Sequence, residues 1–228
     1  MAHTAAVVTV EEVSILTLLL SPVADSPGPL ARVVLVGGVP GAGKTTAIAR
    51  VSGELPLVDA LDPEAFRDRM RRRLPEGTDY AAYRPLVHTL HALRVLLVLL
   101  RGPVPGRTLV VHDPATRPRR RRLFAWLARR RGWDPVLVYV DVPRALAETG
   151  QVLRGRVVDP ASFAGHWARW EALRCEVTGA PDALDGAQWS EVVLTDRDGA
   201  APALRRFVAA SRPSPTREVQ LATSDRGT

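Results

Sequence analysis

The sequence predicts an α/β fold in which helices cover both faces of a five-stranded parallel sheet. From residue 30 onward, short runs rich in Val and Leu alternate with longer stretches of helical periodicity. Several runs are apolar throughout, as expected of strands that are buried on both faces. Strands that alternate with helices form a parallel sheet in a three-layer domain. The chain has 228 residues, of which 46% are hydrophobic, so it can bury the core that this fold needs.

The elements follow one another in a regular order. The runs that predict strands are 32–36, 57–60, 108–112, 136–141 and 191–195. The stretches that predict helices are 83–101, 118–131, 143–154, 160–178 and 201–210, in addition to one directly after the first strand. Asp159 followed by Pro160 is a typical helix start, with a capping side chain and proline at the first helical position.

The predicted domain occupies residues 31–210, with a lid around 150–160. Residues 1–30 form an N-terminal extension and linker, since 21–29 are rich in Pro, Ser and Gly. Residues 211–228 are polar and are predicted to be a disordered tail.

The overall composition favours a cytoplasmic protein with an anionic partner. The single cysteine, Cys175, allows no disulfide within the chain and is expected to be a small buried residue. The apolar run 13–20 is too short to span a membrane and follows Glu11 and Glu12 rather than a basic segment, so it predicts neither a signal peptide nor a membrane anchor. The net charge of +7 suggests a nucleotide, a nucleic acid or a phosphorylated metabolite as partner, although coding bias also raises the arginine content.

Residues 38–45 fit the pattern G-x-x-x-x-G-K-[ST] between a predicted strand and a predicted helix. Lys44 is the only lysine in the chain; the other 30 of the 31 Lys and Arg residues are arginines. In such a loop the backbone N–H groups surround phosphate oxygens, the helix N-terminus faces them, and the lysine reaches the β- and γ-phosphates. The planar guanidinium of arginine does not fit inside that loop. The residues predicted to bind nucleotide are Gly38, Val39, Pro40, Gly41, Ala42, Gly43, Lys44, Thr45 and Thr46.

The motif predicts binding of a nucleoside triphosphate with Mg²⁺, and the hydroxyl of Thr45 is a predicted metal ligand. The third predicted strand ends in Asp113, which has no following Glu to activate water, and no N-K-x-D segment for reading guanine is present. These features favour a phosphotransferase over a motor ATPase or a GTPase. Asp113 is predicted to hold Mg²⁺ through water or to contact the acceptor.

Residues 57–74 (LVDALDPEAFRDRMRRRL) follow the second strand and are predicted to serve the acceptor. A kinase needs a carboxylate that takes the proton of the acceptor hydroxyl. Asp62 is the first candidate for this base and Glu64 the second, while Arg67 is predicted to hold the transferring phosphoryl group. Asp62 before Pro63 also has the position of a helix cap, and the two roles are compatible.

Two basic segments follow. Residues 112–133 predict a helix whose apolar side faces the core and whose arginines, Arg119–122 and Arg129–131, are mostly solvated. An alternative is a groove for a phosphodiester chain, but no aromatic residues alternate with these arginines to stack on bases. In residues 140–160, Arg154 and Arg156 lie between two predicted helices and are expected to close over the triphosphate as a lid.

The segments GVPGAGKTT, DPEAFR, HDPATRPRRRRLFAWLARRRGW and QVLRGRVV together resemble the P-loop kinases of the zeta-toxin and polynucleotide-kinase-like type, within the nucleoside-monophosphate-kinase-like fold. The resemblance extends over about 31–210. It implies a three-layer P-loop NTPase with the strand order 2-3-1-4-5, ATP as the donor, a carboxylate after strand two as the base, and lid arginines on the phosphates.

The predicted function is therefore transfer of the ATP γ-phosphate to a hydroxyl acceptor. The acceptor is either a small molecule or the 5′-hydroxyl of a nucleic acid. The alternative of a different class is an ATP-binding switch or regulatory module that hydrolyses ATP slowly and has no small acceptor.

Overall fold

The computed structural model describes residues 31–153 and 158–209, and within them it contains one five-stranded parallel sheet. The strand order is β2-β3-β1-β4-β5, which confirms the order that the resemblance implied. All five predicted strands are present, with bounds within three residues of the prediction. They are β1 Arg32–Gly37, β2 Val58–Leu61, β3 Thr108–His112, β4 Asp134–Val140 and β5 Glu191–Thr195.

Seven α-helices connect or follow these strands in the described ranges. They are α1 Lys44–Glu54, α2 Glu64–Arg71, α3 Tyr80–Arg101, α4 Pro118–Arg130, α5 Arg144–Val152, α6 Pro160–Gly179 and α7 Ala200–Ala209. A short 3₁₀ turn, Pro181–Ala183, follows α6. Asp159 caps α6 as predicted, since its carboxylate accepts the N–H of Ser162 at 2.9 Å.

The core lies on both faces of β1, β3 and β4. Val33 and Leu35 of β1 line a small internal gap with Leu99 of α3 and Phe124 of α4, so these helices cover one face of the sheet. The residues between them in β1 point to the other face because side chains alternate along a strand. There α1 and α7 pack against each other and against the sheet. This arrangement places the loop after β1 at the carboxyl edge of the sheet, where ligands bind in α/β folds.

The basic helix α4 differs from its prediction at Arg121. This side chain is 2% exposed, and its guanidinium donates two hydrogen bonds to the carboxylate of Asp185, at 2.5 and 2.9 Å. A third bond goes to the backbone oxygen of Ala115 at 2.9 Å. The prediction of a mostly solvated arginine face was therefore wrong for this residue, because its carboxylate partner lies 64 positions along the chain.

Two further features concern exposure. Cys175 is exposed, so the prediction of a buried cysteine was wrong.

Helix α3 is the one helix among the described residues that is long and apolar enough to cross a membrane, by length and composition alone. Val87, Val95 and Leu99 of this helix belong to the buried part of the structure, and buried core helices meet the same criteria.

Candidate functional site

The loop between β1 and α1 is wound around the side chain of Lys44. Gly38, Gly41 and Gly43 have positive φ angles of 136°, 86° and 103°, which side chains with a Cβ rarely adopt. Lys44 is 5% exposed, and its Nζ donates to the backbone oxygens of Gly38 at 2.8 Å and Val39 at 2.9 Å. Helix α1 begins at Lys44, so its positive end faces the same space.

The other predicted nucleotide-binding residues lie along the same loop. Val39 and Ala42 are buried, Pro40 is half-buried, and Thr46 is exposed on the first turn of α1. Ala42 donates its N–H to the oxygen of Val39 at 3.2 Å, which tightens the turn. The geometry is that of a loop whose backbone, rather than its side chains, surrounds a ligand.

Helix α5 supports this loop from outside. A Cβ on Gly41 would overlap the backbone oxygen of Ala147, and a Cβ on Gly150 would overlap the backbone oxygen of Gly41. Arg197, in the connection after β5, donates to the backbone oxygens of Gly41 at 2.9 Å and Leu146 at 3.1 Å. No local pattern in the sequence points to Arg197, because its contact with the loop spans 156 positions.

Asp62, His112 and Thr45 meet at the carboxyl ends of β2 and β3. His112 Nδ1 donates to Asp62 Oδ2 at 2.8 Å and lies 3.3 Å from Thr45 Oγ1. Asp62 Oδ1 accepts the N–H of Glu64 at 2.8 Å, so this carboxylate also orders the start of α2, as the sequence allowed. Burial by itself raises the pKa of Asp62, but the hydrogen bond and charge of His112, with smaller contributions from Glu64 and Thr45, lower it to about 2. Asp62 is therefore an ionised carboxylate beside the loop.

Glu64 and Arg67, the other residues predicted for the acceptor side, lie on α2. Arg67 contacts Glu64 Oε1 at 3.4 Å and places its guanidinium 4.9 Å from the centre of the Tyr80 ring. Both side chains are half-buried. The carboxylate of Glu64 therefore pairs with Arg67, whereas the carboxylate of Asp62 contacts Thr45 of the loop.

Asp113 is 4% exposed and forms an ion pair with Arg120. Its Oδ1 accepts the N–H of Ala115 at 2.7 Å. The Thr45 hydroxyl lies beside His112, the residue before Asp113 in the sequence. The role of Asp113 as a metal or acceptor ligand remains a prediction.

Helix α6 adds a basic cluster that sequence reasoning did not identify. Burial, followed by the positive charges of Arg169, Arg84, Lys44 and Arg117, lowers the pKa of His166 to about 4. These cations come from four segments of the chain, and the charge of each disfavours protonation of the same imidazole. The Nδ1 of His166 and the Nε of Arg169 are buried, and neither has a hydrogen-bond partner within the described ranges. No local motif could have identified this cluster, because its members are far apart in sequence.

The residues present fit a Mg²⁺ ion that is bound together with a nucleotide. Within 31–153 and 158–209, no group of three or more His, Cys, Asp or Glu residues could hold a metal by itself. Mg²⁺ is commonly held by one or two carboxylates together with substrate phosphates. The Thr45 hydroxyl lies 3.3 Å from His112 Nδ1, and the buried carboxylate of Asp113 follows His112 in the sequence, so these two predicted residues provide such a partial set of oxygen donors. The lid residues Arg154 and Arg156 lie outside the described residues.

A parallel sheet of order 2-3-1-4-5 with a G-x-x-x-x-G-K-T loop after its first strand defines a P-loop NTPase domain of the kinase-like type. The AAA domain family matches residues 33–174, more than half of the chain, and the protein belongs to that family. Among curated proteins, none matches this sequence.

The solved structures that this chain resembles are distant from it in sequence. Kti12 of Chaetomium thermophilum, solved in complex with ADP-AlF3, is 13% identical with a TM-score of 0.52, covering 79% of this chain and all of that one (100%). A structure from the PezAT toxin-antitoxin system of Streptococcus pneumoniae is 15% identical with a TM-score of 0.49, covering 81% and 73%. A gluconokinase of Sinorhizobium meliloti is 16% identical with a TM-score of 0.43, covering 79% and 94%. At 13% identity, the likeness to Kti12 concerns the fold alone.

Proposed function

We propose that this protein is an ATP- and Mg²⁺-dependent kinase that transfers the γ-phosphoryl group of ATP to a hydroxyl acceptor. The observation that carries the proposal is the ionised carboxylate of Asp62 beside the phosphate-binding loop, held by His112 next to Thr45. A kinase needs a carboxylate near the transferring phosphoryl group to take the proton of the acceptor hydroxyl. A cytoplasmic location, where ATP is available, agrees with this proposal.

In the proposed reaction, Lys44 and the N–H groups of the loop hold the β- and γ-phosphates. A lone pair of the acceptor oxygen forms the new bond to the γ-phosphorus. The bond from that phosphorus to the β–γ bridging oxygen breaks, and its electron pair leaves with ADP. The hydroxyl proton passes to a carboxylate oxygen of Asp62. Mg²⁺, when bound, supplies positive charge that stabilises the phosphate oxygens.

Asp62 is a better candidate for the base than Glu64. The carboxylate of Glu64 lies 3.4 Å from Arg67 on the same helix, whereas Asp62 contacts Thr45 of the loop and His112 at the end of β3. The low pKa of Asp62 makes it a weak base in the ground state, so its part is to orient the hydroxyl and accept the proton late in the transfer. Arg154 and Arg156 remain the proposed lid.

The alternative of a nucleic-acid acceptor is less well supported. Several arginines of the basic segment have partners within the protein. Arg120 pairs with Asp113, Arg122 contacts Asp185, and Arg129 donates to the oxygen of Gln188 at 2.5 Å. They are therefore not a free row of cations along which a phosphodiester chain would bind.

The test is a label-transfer assay with γ-labelled ATP, Mg²⁺ and a panel of hydroxyl compounds that includes nucleosides, sugars and 5′-hydroxyl oligonucleotides. We expect label to move to one acceptor class in the wild type and not in Lys44→Ala. Asp62→Asn should keep Mg-ATP binding and reduce transfer by about 10²- to 10⁴-fold. Normal transfer by Asp62→Asn together with loss in Glu64→Gln would assign the base to Glu64. Release of inorganic phosphate alone would instead support the regulatory switch.

A further inference from the structure

A cavity of about 310 Å³ lies beside β2, on the face of the sheet that α3 covers. Its apolar walls come from Ala60 and Leu61 of β2, Leu109 of β3, Val98 of α3 and the ring of Trp133. The residues that line it do not include the phosphate-binding loop. A cavity of this volume is large enough to receive a small ligand or the side chains of another segment.

Three arginines line the same cavity: Arg94 and Arg101 on α3, and Arg107 in the connection to β3. Arg107 is neutralised by Asp59, to which it donates two hydrogen bonds at 2.5 and 2.6 Å. Arg94 and Arg101 are exposed, and neither pairs with a carboxylate within residues 31–153 and 158–209. We refer to these two residues as the rim arginines. They give an apolar cavity a positively charged edge.

The exposed side of α3 extends this apolar surface. Leu86, Leu93 and Leu97 are 46%, 51% and 46% exposed. Their spacing of seven and four residues places them on one face of the helix, next to the face of the rim arginines. Single exposed leucines are common, but a row of them beside an apolar cavity indicates a surface that another segment covers. We therefore expect an occupant that is apolar and carries negative charge at one end.

Residues 11–20 of this chain have that pattern. Glu11 and Glu12 directly precede the apolar run 13–20, whose sequence is VSILTLLL. These residues lie outside the described ranges, and the proposed nucleotide and acceptor sites do not use them. Their apolar run matches the cavity and the leucines of α3, and their two carboxylates match the charge of the rim arginines.

The described part of the chain starts close to the cavity. The backbone oxygen of Ala31 accepts the N–H of Asp134 at 3.0 Å, and the residue before it, Trp133, belongs to the cavity wall. Because β1, β3 and β2 are adjacent in that order, the wall formed by β2 lies about 10 Å from β1. Residues 21–30 can span up to about 33 Å when extended. The segment 11–20 can therefore reach the cavity in the same molecule.

We infer that residues 11–20 bind to this surface of their own chain, with the run 13–20 in the cavity and along the leucines of α3. Glu11 and Glu12 then face the rim arginines. A short linker favours this binding because it keeps the segment at an effective concentration in the millimolar range. Leu61 of the cavity wall directly precedes Asp62, so the bound segment also supports the strand that carries this carboxylate. The inference does not depend on the proposed kinase function.

The first experiment measures proximity in the full-length chain by disulfide formation. Val13→Cys, Leu16→Cys or Leu19→Cys is combined with Val104→Cys, a 54% exposed residue of the cavity wall, in a Cys175→Ala background. The control variants keep Cys175, which is exposed on α6, as the partner instead. A disulfide requires Cα atoms within about 7 Å, so at least one pair with Val104→Cys should close about tenfold faster than its control.

Each rate is divided by the reactivity of the same cysteines towards a small external disulfide, which removes differences between the thiols. Equal corrected rates for the cavity and control pairs would overturn the inference. A cross-linked product with the mass of a dimer would place the segment on a second copy of the chain and would also contradict it.

The second experiment reverses charges in the fastest cross-linking variant. Glu11→Arg with Glu12→Arg should slow closure by about three- to tenfold, because attraction to the rim arginines becomes repulsion. Arg94→Glu with Arg101→Glu should slow it by a similar factor. The four changes together should return the rate to within about twofold of the starting variant, since the two pairs of charges again attract.

The matched control reverses two exposed arginines at the end of α2, Arg71→Glu with Arg72→Glu, which do not line the cavity. Closure should stay within about twofold of the starting rate, because salt screens charges that are not in contact. If this control slows closure as much as the change at the rim arginines, the effect comes from net charge and the inference is wrong. The same conclusion follows if the four changes together restore nothing.

A stability measurement tests the inference without added cysteines. Leu16→Asp should lower the melting temperature of the full chain by at least about 3 °C, because it removes a buried leucine side chain. Val23→Asp, in the linker, should lower it by no more than about 1 °C. Equal effects of the two substitutions would contradict the inference.

Decanoate, an apolar chain with one carboxylate, tests the other kind of occupant that this surface fits. It should raise the melting temperature of Leu16→Asp more than that of the wild type, because in the wild type the run 13–20 already fills the cavity. Equal stabilisation of both proteins by decanoate would assign the cavity to small amphipathic anions and overturn the inference.

Discussion

Lys44 shows how one residue can be fixed by the geometry of its surroundings. Its Nζ lies between two backbone oxygens of its own loop, at 2.8 and 2.9 Å, in a space that leaves the side chain 5% exposed. An ammonium group is compact and its three donors can rotate, whereas a guanidinium is planar and wide. This explains why the chain, which otherwise uses arginine for every basic side chain, retains lysine at this position.

The corresponding prediction uses a substitution that keeps the charge. Lys44→Arg should lose most of the thermal stabilisation by Mg-ATP, as Lys44→Ala does, because the guanidinium cannot occupy the space inside the loop. The measurement is the melting temperature with and without Mg-ATP for both variants and the wild type. If Lys44→Arg is stabilised as strongly as the wild type, charge alone is sufficient and the geometric explanation is wrong.

At the same scale, the sequence predicted some residues of the candidate site and missed others. Lys44 and Thr45 belong to a contiguous motif, and Asp62 follows a recognisable strand, so their placement could be inferred from local patterns. The contact of His112 with Asp62 and the position of His166 carry no local signal. Their positions depend on how strands and helices that are distant in sequence come together, and only the folded structure shows this.

At the scale of elements, α5 and the phosphate-binding loop pack so closely that neither tolerates a side chain at the contact. Gly150 is buried, and its Cα approaches the backbone of Gly41 across the interface. Arg197 fixes the same contact by bonding to an oxygen on each side, those of Gly41 and Leu146. The shape of the loop therefore depends on α5 as well as on its own glycines.

This contact gives a prediction with a matched control in another helix. Alanine normally stabilises a helix by up to about 1 kcal/mol relative to glycine, and Gly53→Ala in α1 should do so because the space around Gly53 is open. Gly150→Ala should instead destabilise the protein and weaken Mg-ATP binding, because the new Cβ overlaps the Gly41 oxygen. Urea denaturation and nucleotide titration of the two variants measure both effects. Equal stabilisation by both substitutions would show that α5 does not constrain the loop.

The strands were predictable because their signal is local. A buried parallel strand is a short apolar run, and each of the five runs formed a strand of the sheet. The environment of α4 was not predictable in the same way. Its helical periodicity is visible in the sequence, but the partner of Arg121 is Asp185, in the segment between α6 and β5. A buried ion pair of this kind requires two residues that no short window contains.

At the scale of the whole molecule, neutral histidines are buried where the helices meet the carboxyl edge of the sheet. His91 is 2% exposed, and its Nε2 donates to the backbone oxygen of His112 at 2.8 Å, which connects α3 to the end of β3. Its Nδ1 is buried without a hydrogen-bond partner among the described residues. Burial lowers the pKa of His91 to about 4, so the folded protein resists protonation of this imidazole.

The last prediction is an acid dependence of the free energy of unfolding. A histidine in the unfolded chain has a pKa near 6.5. Between pH 6.5 and 4 the unfolded state therefore binds a proton that the folded state does not bind at His91. The free energy of unfolding consequently falls as the pH falls. Between pH 7.5 and 5, the titration of His91 lowers the free energy of unfolding by about 2 kcal/mol. His91→Gln keeps an N–H donor for the His112 oxygen but cannot titrate, so urea denaturation at the two pH values should show a difference smaller by about that amount. His166→Gln should reduce the difference by a similar amount, because the pKa of His166 in the folded protein is also about 4. An unchanged difference in His91→Gln would mean that other groups cause the acid sensitivity.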